Sequence, residues 1–206
     1  MIACTDVHYT NTRAIAACIL FHDWSDAHPD LAITERVDDP APYEPGRFYR
    51  RELPPLLSVI SKLPVRPEVI LIDGYVWLGD WDHPGLGAHL YKALDETGAV
   101  IGVAKNPFRP GPAVQSVRRG TSARPLYVSA AGMDLNEAAA RIIELHGEFR
   151  VPTMLKRVDR LCRGYQDALE SEFVKRSPKP TRSEALTAKA SKLSIVPSAP
   201  EGLTAE

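Results

Sequence analysis

This sequence has few cysteines, almost no net charge and no long apolar run. The three cysteines, Cys4, Cys18 and Cys162, are far apart and follow no CxxC or Cys/His spacing. They therefore predict neither a disulfide framework nor a zinc site, and they favour a reducing cytoplasm. The formal net charge of -1 argues against a protein that coats nucleic acid non-specifically. Apolar runs such as Arg13–Phe21 are shorter than the roughly 20 residues that span a bilayer, and no signal-peptide pattern precedes them.

The composition predicts one soluble domain followed by a tail. The 206 residues are 44% hydrophobic and 25% charged, which is ordinary for a globular protein. We predict this domain over residues 1–175. From about Arg176 the sequence is polar, contains several prolines and has no core periodicity, so we predict a mostly disordered tail over residues 176–206.

Apolar periodicity predicts an α/β fold with a mixed sheet flanked by helices. Short runs rich in β-branched residues predict strands at Ile2–Tyr9, Ala14–Phe21, Leu31–Val37, Glu68–Asp73, Ala99–Ala104 and Pro125–Ala130. Helical spacing predicts helices at Phe48–Leu63, His83–Thr97, Asp134–His146 and Thr153–Val174. Pro54 and Pro55 predict an irregular first turn in the first helix. Three initial strands are thus followed by alternating helices and strands.

Two acidic residues lie at the ends of predicted strands, where an α/β sheet exposes its ligand crevice. Asp6 is near the end of the first strand and Asp73 ends the fourth, so their carboxylates can meet above the sheet. Glu52 would join them from the first turn of the flanking helix. Three carboxylates suit Mg²⁺ or Mn²⁺, which can activate water and stabilise the leaving oxygen in phosphodiester hydrolysis. A single acid at a strand end is more often a solvated cap, so spacing alone leaves both alternatives open.

Ordered motifs around these acids resemble those of the endonuclease V family, deoxyinosine-directed nucleases with a ribonuclease H-like fold. CTDVHY resembles the family's first metal-binding aspartate motif, PYEPGRFYRRELP resembles PYxPGxLxFRExP, and VILIDG resembles the VxVDG strand. The resemblance implies that Asp6, Glu52 and Asp73 are the metal ligands and that Tyr43–Gly46 form a strand-separating wedge. The substrate-binding residues that it implies are Tyr43, Pro45, Gly46 and Gly74.

Later motifs continue the resemblance along nearly the whole predicted domain. HPGLGAHL resembles HPRxxGxAxHxG, VIGVAKNPF resembles the VIGVAK strand, and RVPTMLKRVDRL resembles the RxPEPTRxAD helix. These matches imply that His83 lies near the metal and that Lys105 lies beside the scissile phosphate. Asp159 takes the acidic or histidine position of the last helix. His83 and Lys105 complete the predicted catalytic set.

The sequence departs from the family pattern mainly in the segments that read the base. The resemblance begins at the first strand, without the helix that precedes it in the family. The loop after Asp73 is longer, Gly85 replaces the arginine that follows His-Pro, and Met133 replaces a histidine. Trp77 and Trp81 in the longer loop would be either a base-stacking lid or hydrophobic anchors. We therefore expect this chain to keep the nuclease chemistry, whereas the sequence does not determine which base it recognises.

Two basic groups have alternative roles as phosphate contacts or as solvated surface. The first group consists of Arg47, Arg50 and Arg51, and the second of Arg118, Arg119 and Arg124.

The sequence and the resemblance together predict a divalent-metal-dependent endonuclease with Mg²⁺ as cofactor and Mn²⁺ as its substitute. Its expected partner is DNA or RNA that contains a deaminated base, inosine, and its expected role is nucleic-acid repair. We expect a cytoplasmic monomer without a membrane segment. The alternatives are a ribonuclease H-like nuclease with another nucleic-acid target and a catalytically weak nucleic-acid-binding homologue.

Overall fold

Seven strands form one sheet in the computed structural model, which describes residues 1–10 and 12–164. The strands are β1 (Ile2–Tyr9), β2 (Arg13–Phe21), β3 (Leu31–Asp38), β4 (Val69–Asp73), β5 (Ala99–Ala104), β6 (Gln115–Val117) and β7 (Leu126–Ala131). The helices are α1 (Phe48–Ile60), α2 (Leu86–Ala93), α3 (Leu135–Glu144) and α4 (Thr153–Cys162). The last helix, predicted over Thr153–Val174, ends at Cys162, because Arg163 and Gly164 leave the helical conformation. The predicted domain boundary at residue 175 and the tail of residues 176–206 lie outside the described residues.

The strand order in the sheet is β3-β2-β1-β4-β5-β7-β6. The three initial strands form an antiparallel meander, whereas β1, β4 and β5 run parallel to one another in the centre. β7 is antiparallel to β5, and β6 is antiparallel to β7. The predicted α/β class with a mixed sheet is confirmed, and its parallel centre brings the ends of β1 and β4 to the same edge.

Helices cover both faces of this sheet. α1 and α2 pack against each other; α1 lies on the initial strands and α2 lies on β5. α4 packs on β1 and β2, and α3 packs on β6 and β7. The central strands β4 and β5 are buried almost throughout, as expected of near-continuous apolar runs in a parallel sheet. Among the described helices, none has both the length and the apolar character that crossing a bilayer requires.

Two prolines lie inside α1 without ending it. Pro54 and Pro55 have no amide hydrogen, so the carbonyls of Arg50 and Arg51 lose their usual helical donors. The hydroxyl of Tyr9 donates to the Arg51 carbonyl at 2.9 Å. A bond from β1 therefore replaces a missing helical bond, and the helix stays continuous from Phe48.

The structure ends α1 at Ile60 rather than Leu63, corrects both boundaries of α2 and adds one strand. α2 begins at Leu86 rather than His83, because the His83 carbonyl accepts from Leu78 and the Gly85 amide donates to Val76, which closes the preceding loop. It ends at Ala93 rather than Thr97, because Asp95 and its neighbour Glu96 turn the chain with positive φ. β6 has three residues, too few for an alternation signal within the basic loop.

Candidate active site

Asp6, in the second half of β1, and Asp73, the last residue of β4, lie side by side on neighbouring parallel strands. Thr5 is in register with Ile72, so the next residue of each strand is an aspartate. Adjacent strands are about 4.8 Å apart, and residues in register in a parallel pair direct their side chains to the same face. The sheet therefore brings the two carboxylates together, as the sequence analysis expected.

Glu52 reaches the same edge from α1 and is only 7% exposed. Burial, and next the charges of Asp6 and Asp73, together raise the pKa of Glu52 to about 8, against a smaller lowering by Arg51. Burial likewise raises the pKa of Asp6 to about 6, with Asp73 as the next cause. The three predicted ligands are therefore close enough to repel one another strongly.

Lys105 follows β5 directly, and its ammonium donates to Oδ2 of Asp73 at 2.5 Å. Burial lowers the pKa of Lys105, but the hydrogen bond and the charge of Asp73 outweigh it, so the pKa is raised overall. Lys105 is thus protonated beside the acids. It offsets only part of their negative charge.

A fourth acid joins the cluster from α4. Asp159 raises the pKa of Asp6 and forms an ion pair of 3.0 Å with Arg163. The buried thiol of Cys162 donates to the carbonyl of Asp159 at 3.0 Å and lies 3.8 Å from Oδ2 of Asp6. The motif resemblance placed Asp159 at the acidic or histidine position of the last helix, outside the predicted catalytic set. The signal that could have added it was its place on the inward face of an amphipathic helix.

Arg51 and Tyr9 lie close enough to Glu52 to interact with its charge. The Arg51 guanidinium lies 3.9 Å from the centre of the Tyr9 ring, within the range of a cation–π contact. Its Nε is buried and has no hydrogen-bond partner among the described residues. Arg47 and Arg50, by contrast, are exposed and approach the carboxylate of Glu44 at 3.5 and 3.7 Å.

The donor set fits a hard divalent cation. Carboxylate oxygens are the preferred ligands of Mg²⁺ and Mn²⁺. Burial first, and the neighbouring carboxylates second, raise the pKa values of Asp6 and Glu52, and a bound cation would favour the ionised form of both. Asp6, Glu52 and Asp73 would hold such an ion, with Asp159 beside them.

A cavity of about 310 Å³ opens directly beside Asp73. Among the predicted substrate-binding residues, Tyr43, Gly46 and Gly74 line it, whereas Pro45 is exposed and is not part of the lining. Gly74 has a φ of 143°, and its lack of a side chain permits the turn that immediately follows β4 and Asp73. The remaining lining residues are Phe48, Tyr49, Tyr75, Leu78, Pro84, Gly85, Leu86 and Phe108.

The longer loop after Asp73 folds back on itself and lines the cavity with its two ends. Trp77 pairs with Pro84, and the Trp77 Nε1 donates to the carbonyl of Ala130 at 2.8 Å. Trp81 is 51% exposed and makes an edge contact with Trp77. Gly85 replaces the family's arginine where a Cβ would lie 2.6 Å from the Tyr75 carbonyl. Trp77 is therefore an anchor of the loop, which is one of the two alternatives that the sequence left open.

His83 lies on this loop, and its Nδ1 is 2.8 Å from the carboxylate of Asp82. The ligand atoms of His83, Asp82 and Asp80 lie within 4.8 Å of one another, but all three residues are exposed. Within residues 1–10 and 12–164, no contact joins His83 to the buried acids. Its predicted place beside the metal stays a prediction.

Two arginines hold main-chain carbonyls instead of lying free on the surface. Arg119, expected to be a phosphate contact or a solvated residue, is 5% exposed and donates to carbonyls of the turn after α3, including those of Phe149 and Gly147. Arg150 donates to the carbonyls of Lys105 and Pro125. Arg150 therefore fixes the main chain that carries the active-site lysine.

Comparisons with known proteins identify the family to which this chain is similar. A family model described as Endonuclease V matches residues 1–119. Endonuclease V from Streptomyces avermitilis is 34% identical over 146 residues, covering 59% of this chain and 61% of the relative. The relative from Rhodospirillum centenum is 31% identical over 181 residues, covering 76% and 72%. The chain thus spans about three fifths of the length of the first relatives that it matches.

Solved structures share the fold. The crystal structure of the Streptomyces avermitilis protein superposes with a TM-score of 0.64 at 27% identity, covering 84% of this chain and 82% of that one. Endonuclease V from Ciona intestinalis, in complex with a 24mer DNA containing an inosine followed by a ribo-adenosine, gives a TM-score of 0.63 at 20% identity, covering 82% and 86%. The sheet and its helices are therefore those of the ribonuclease H-like fold.

Proposed function

Because this chain belongs to the endonuclease V family, we propose that it is a divalent-metal-dependent endonuclease that hydrolyses a phosphodiester bond 3′ to inosine in DNA or RNA. The observation that carries the proposal is the cluster of the buried Glu52 with the partly buried Asp6 and Asp73, and with Lys105 at its side. A protein that only bound nucleic acid would gain nothing from acids facing phosphate. Inosine is also the base in the DNA held by the Ciona protein, which has the same fold.

In the proposed reaction, the acids bind the metal ion and Lys105 contacts the phosphate. When bound, Mg²⁺ or Mn²⁺ supplies an activated water and stabilises the leaving oxygen. Asp6, Glu52 and Asp73 hold the ion. Lys105, protonated and already directed into the site by Asp73, can donate to a phosphate oxygen, and preorganised donors of this kind contribute strongly to catalysis.

The cavity beside Asp73 is our proposed pocket for the deaminated base. Extruding a base costs a few kcal/mol, and less where the base is mismatched or single-stranded. Tyr43, 59% exposed at the cavity rim, can stack on unpaired bases. The turn glycines Gly46 and Gly74 expose main-chain groups to the edge of the base.

The proposed biological role is nucleic-acid repair in the cytoplasm, by a monomer. The free cysteines Cys4, Cys18 and Cys162 agree with a reducing compartment. The cofactor that we propose is Mg²⁺, with Mn²⁺ as its substitute.

The direct test compares two oligonucleotides that differ only in one inosine or adenine. With Mg²⁺, wild-type protein should cut the inosine strand alone, and Asp73→Asn should abolish cutting while binding persists. Asp38→Asn is a matched control, because Asp38 lies on the exposed edge strand β3 and pairs with Arg36. Equal cleavage of both strands would reject inosine as the target, and full activity of Asp73→Asn would reject the metal site.

A different nucleic-acid target is the second candidate. It is favoured by the longer loop, which lines the cavity with Leu78 and Pro84. Cleavage of mismatched or branched substrates without inosine preference would support it.

A further inference from the structure

One side of the cavity beside Asp73 is aromatic and comes from two different loops. Tyr75 belongs to the loop after β4, and Phe108 belongs to the loop after β5. Their ring centres are 6.4 Å apart with an interplanar angle of 52°, which is within the range of favourable aromatic pairs. Phe108 is 59% exposed. A large apolar ring is thus held at the cavity with much of its surface free.

Two contacts hold the segment that carries Phe108 and its ring. The Tyr75 hydroxyl donates to the carbonyl of Asn106 at 2.8 Å, two residues before Phe108. The guanidinium carbon of Arg109 lies 5.8 Å from the centre of the Phe108 ring, within cation–π range. A ring fixed in this way loses little additional freedom when a planar ligand stacks on it.

The same short segment also carries Lys105. Lys105 contacts Asp73 at one end of the segment, and Phe108 lines the cavity at the other. Three residue steps span at most about 10–11 Å. The segment can therefore contact a phosphate and a nearby base of one strand at the same time.

From this geometry, and resting on the proposed function, we infer that Phe108 stacks on the extruded base and that Tyr75 is its positioning residue. Phe108 then determines specificity for a planar base, while the main-chain groups of the cavity contact the base edge. Base stacking on an aromatic side chain contributes about 1–3 kcal/mol.

The test separates the base from the backbone. Affinity is measured with Ca²⁺ for two oligonucleotides that are identical except that one carries inosine and the other an abasic residue at the same position. Phe108→Ala should weaken binding of the inosine strand by roughly 5- to 150-fold, the range that corresponds to this stacking energy. It should leave binding of the abasic strand within about twofold of the wild type, since Phe108 has nothing there to stack on.

Three further variants define the role. Phe108→Tyr keeps the ring and should retain the inosine preference, whereas Phe108→Leu keeps apolar bulk without an aromatic face and should lose most of it. Tyr75→Phe removes one neutral hydrogen bond, so it should reduce the preference by roughly 2- to 12-fold. Phe149→Ala is the matched control, because Phe149 is 60% exposed and also lies under a cation, Lys156, but is not among the residues that line the cavity.

Equal weakening of both strands by Phe108→Ala would overturn the inference, because it would indicate a structural or backbone role. Unchanged binding of both strands would overturn it as well. Failure of the proposed function is recognised separately: it would appear as a wild-type protein that does not cut the inosine strand with Mg²⁺.

Discussion

Replacing Glu52 with glutamine should stabilise the metal-free protein at alkaline pH. Burial, and next the charges of Asp6 and Asp73, raise the pKa of Glu52 from 4.5 to about 8. In the unfolded chain this carboxyl ionises near its ordinary pKa, so the folded protein binds more protons between the two values. The stability of the wild-type protein therefore falls as the pH rises from about 4.5 to about 8.

The expected difference is large enough to measure. Each pKa unit corresponds to about 1.4 kcal/mol, so ionising Glu52 costs the metal-free fold roughly 3–5 kcal/mol above pH 8. Glutamine keeps the shape of the side chain, removes its charge and relieves Asp6 as well. We expect Glu52→Gln to exceed the wild type in free energy of unfolding by roughly 2–4 kcal/mol at pH 9, and by less than about 1 kcal/mol near pH 4.

The assay is urea denaturation in EDTA across this pH range, with Glu96→Gln as a control that changes an exposed glutamate. A second series adds Mg²⁺, which should stabilise the wild type at pH 9 more than it stabilises Glu52→Gln, since an ion that binds only the folded state raises its stability. A constant difference between wild type and Glu52→Gln at every pH would refute the reasoning. It would mean that burial and the neighbouring acids do not raise the pKa of Glu52 in the folded protein.

Two further substitutions test other parts of the molecule. Lys105→Met should lower the single-turnover cleavage rate by about 100-fold or more, the usual effect of removing one preorganised donor, and an unchanged rate would exclude Lys105 from the reaction. Trp77→Phe removes the bond to the buried Ala130 carbonyl and should lower the free energy of unfolding by about 1–3 kcal/mol in urea titrations; equal stability of variant and wild type would show that this bond does not hold the loop.

Most of the sheet could be predicted because its strands are short apolar runs that are visible in the local sequence. The runs that precede Asp6 and Asp73 are apolar, and the parallel register of β1 with β4 places the two aspartates side by side whatever the loops do. Glu52 was harder, since its place depends on how α1 lies across the sheet. The flanking helix made Glu52 a candidate third ligand, and the ordered resemblance to a known family favoured it over the alternative of a solvated acid.

The remainder depended on contacts that local pattern does not contain. Asp159 reaches the cluster because α4 packs on β1, far away in sequence. Arg119 belonged to a basic run that suggested a surface, yet the turn after α3 has carbonyls that its buried guanidinium satisfies. The first turn predicted for α2 was lost because the closure of the preceding loop uses His83 and Gly85.

The prolines of α1 have a consequence for how the site tolerates change. The carbonyl freed by Pro55 is bonded by Tyr9, and this bond ties the strand that carries Asp6 to the helix that carries Glu52. A residue with an amide at position 55 would favour the helix by its own propensity, but it would compete for that carbonyl. Local helix stability and a fixed spacing between two proposed metal ligands are thus opposed here, and a poor helix former favours the fixed spacing.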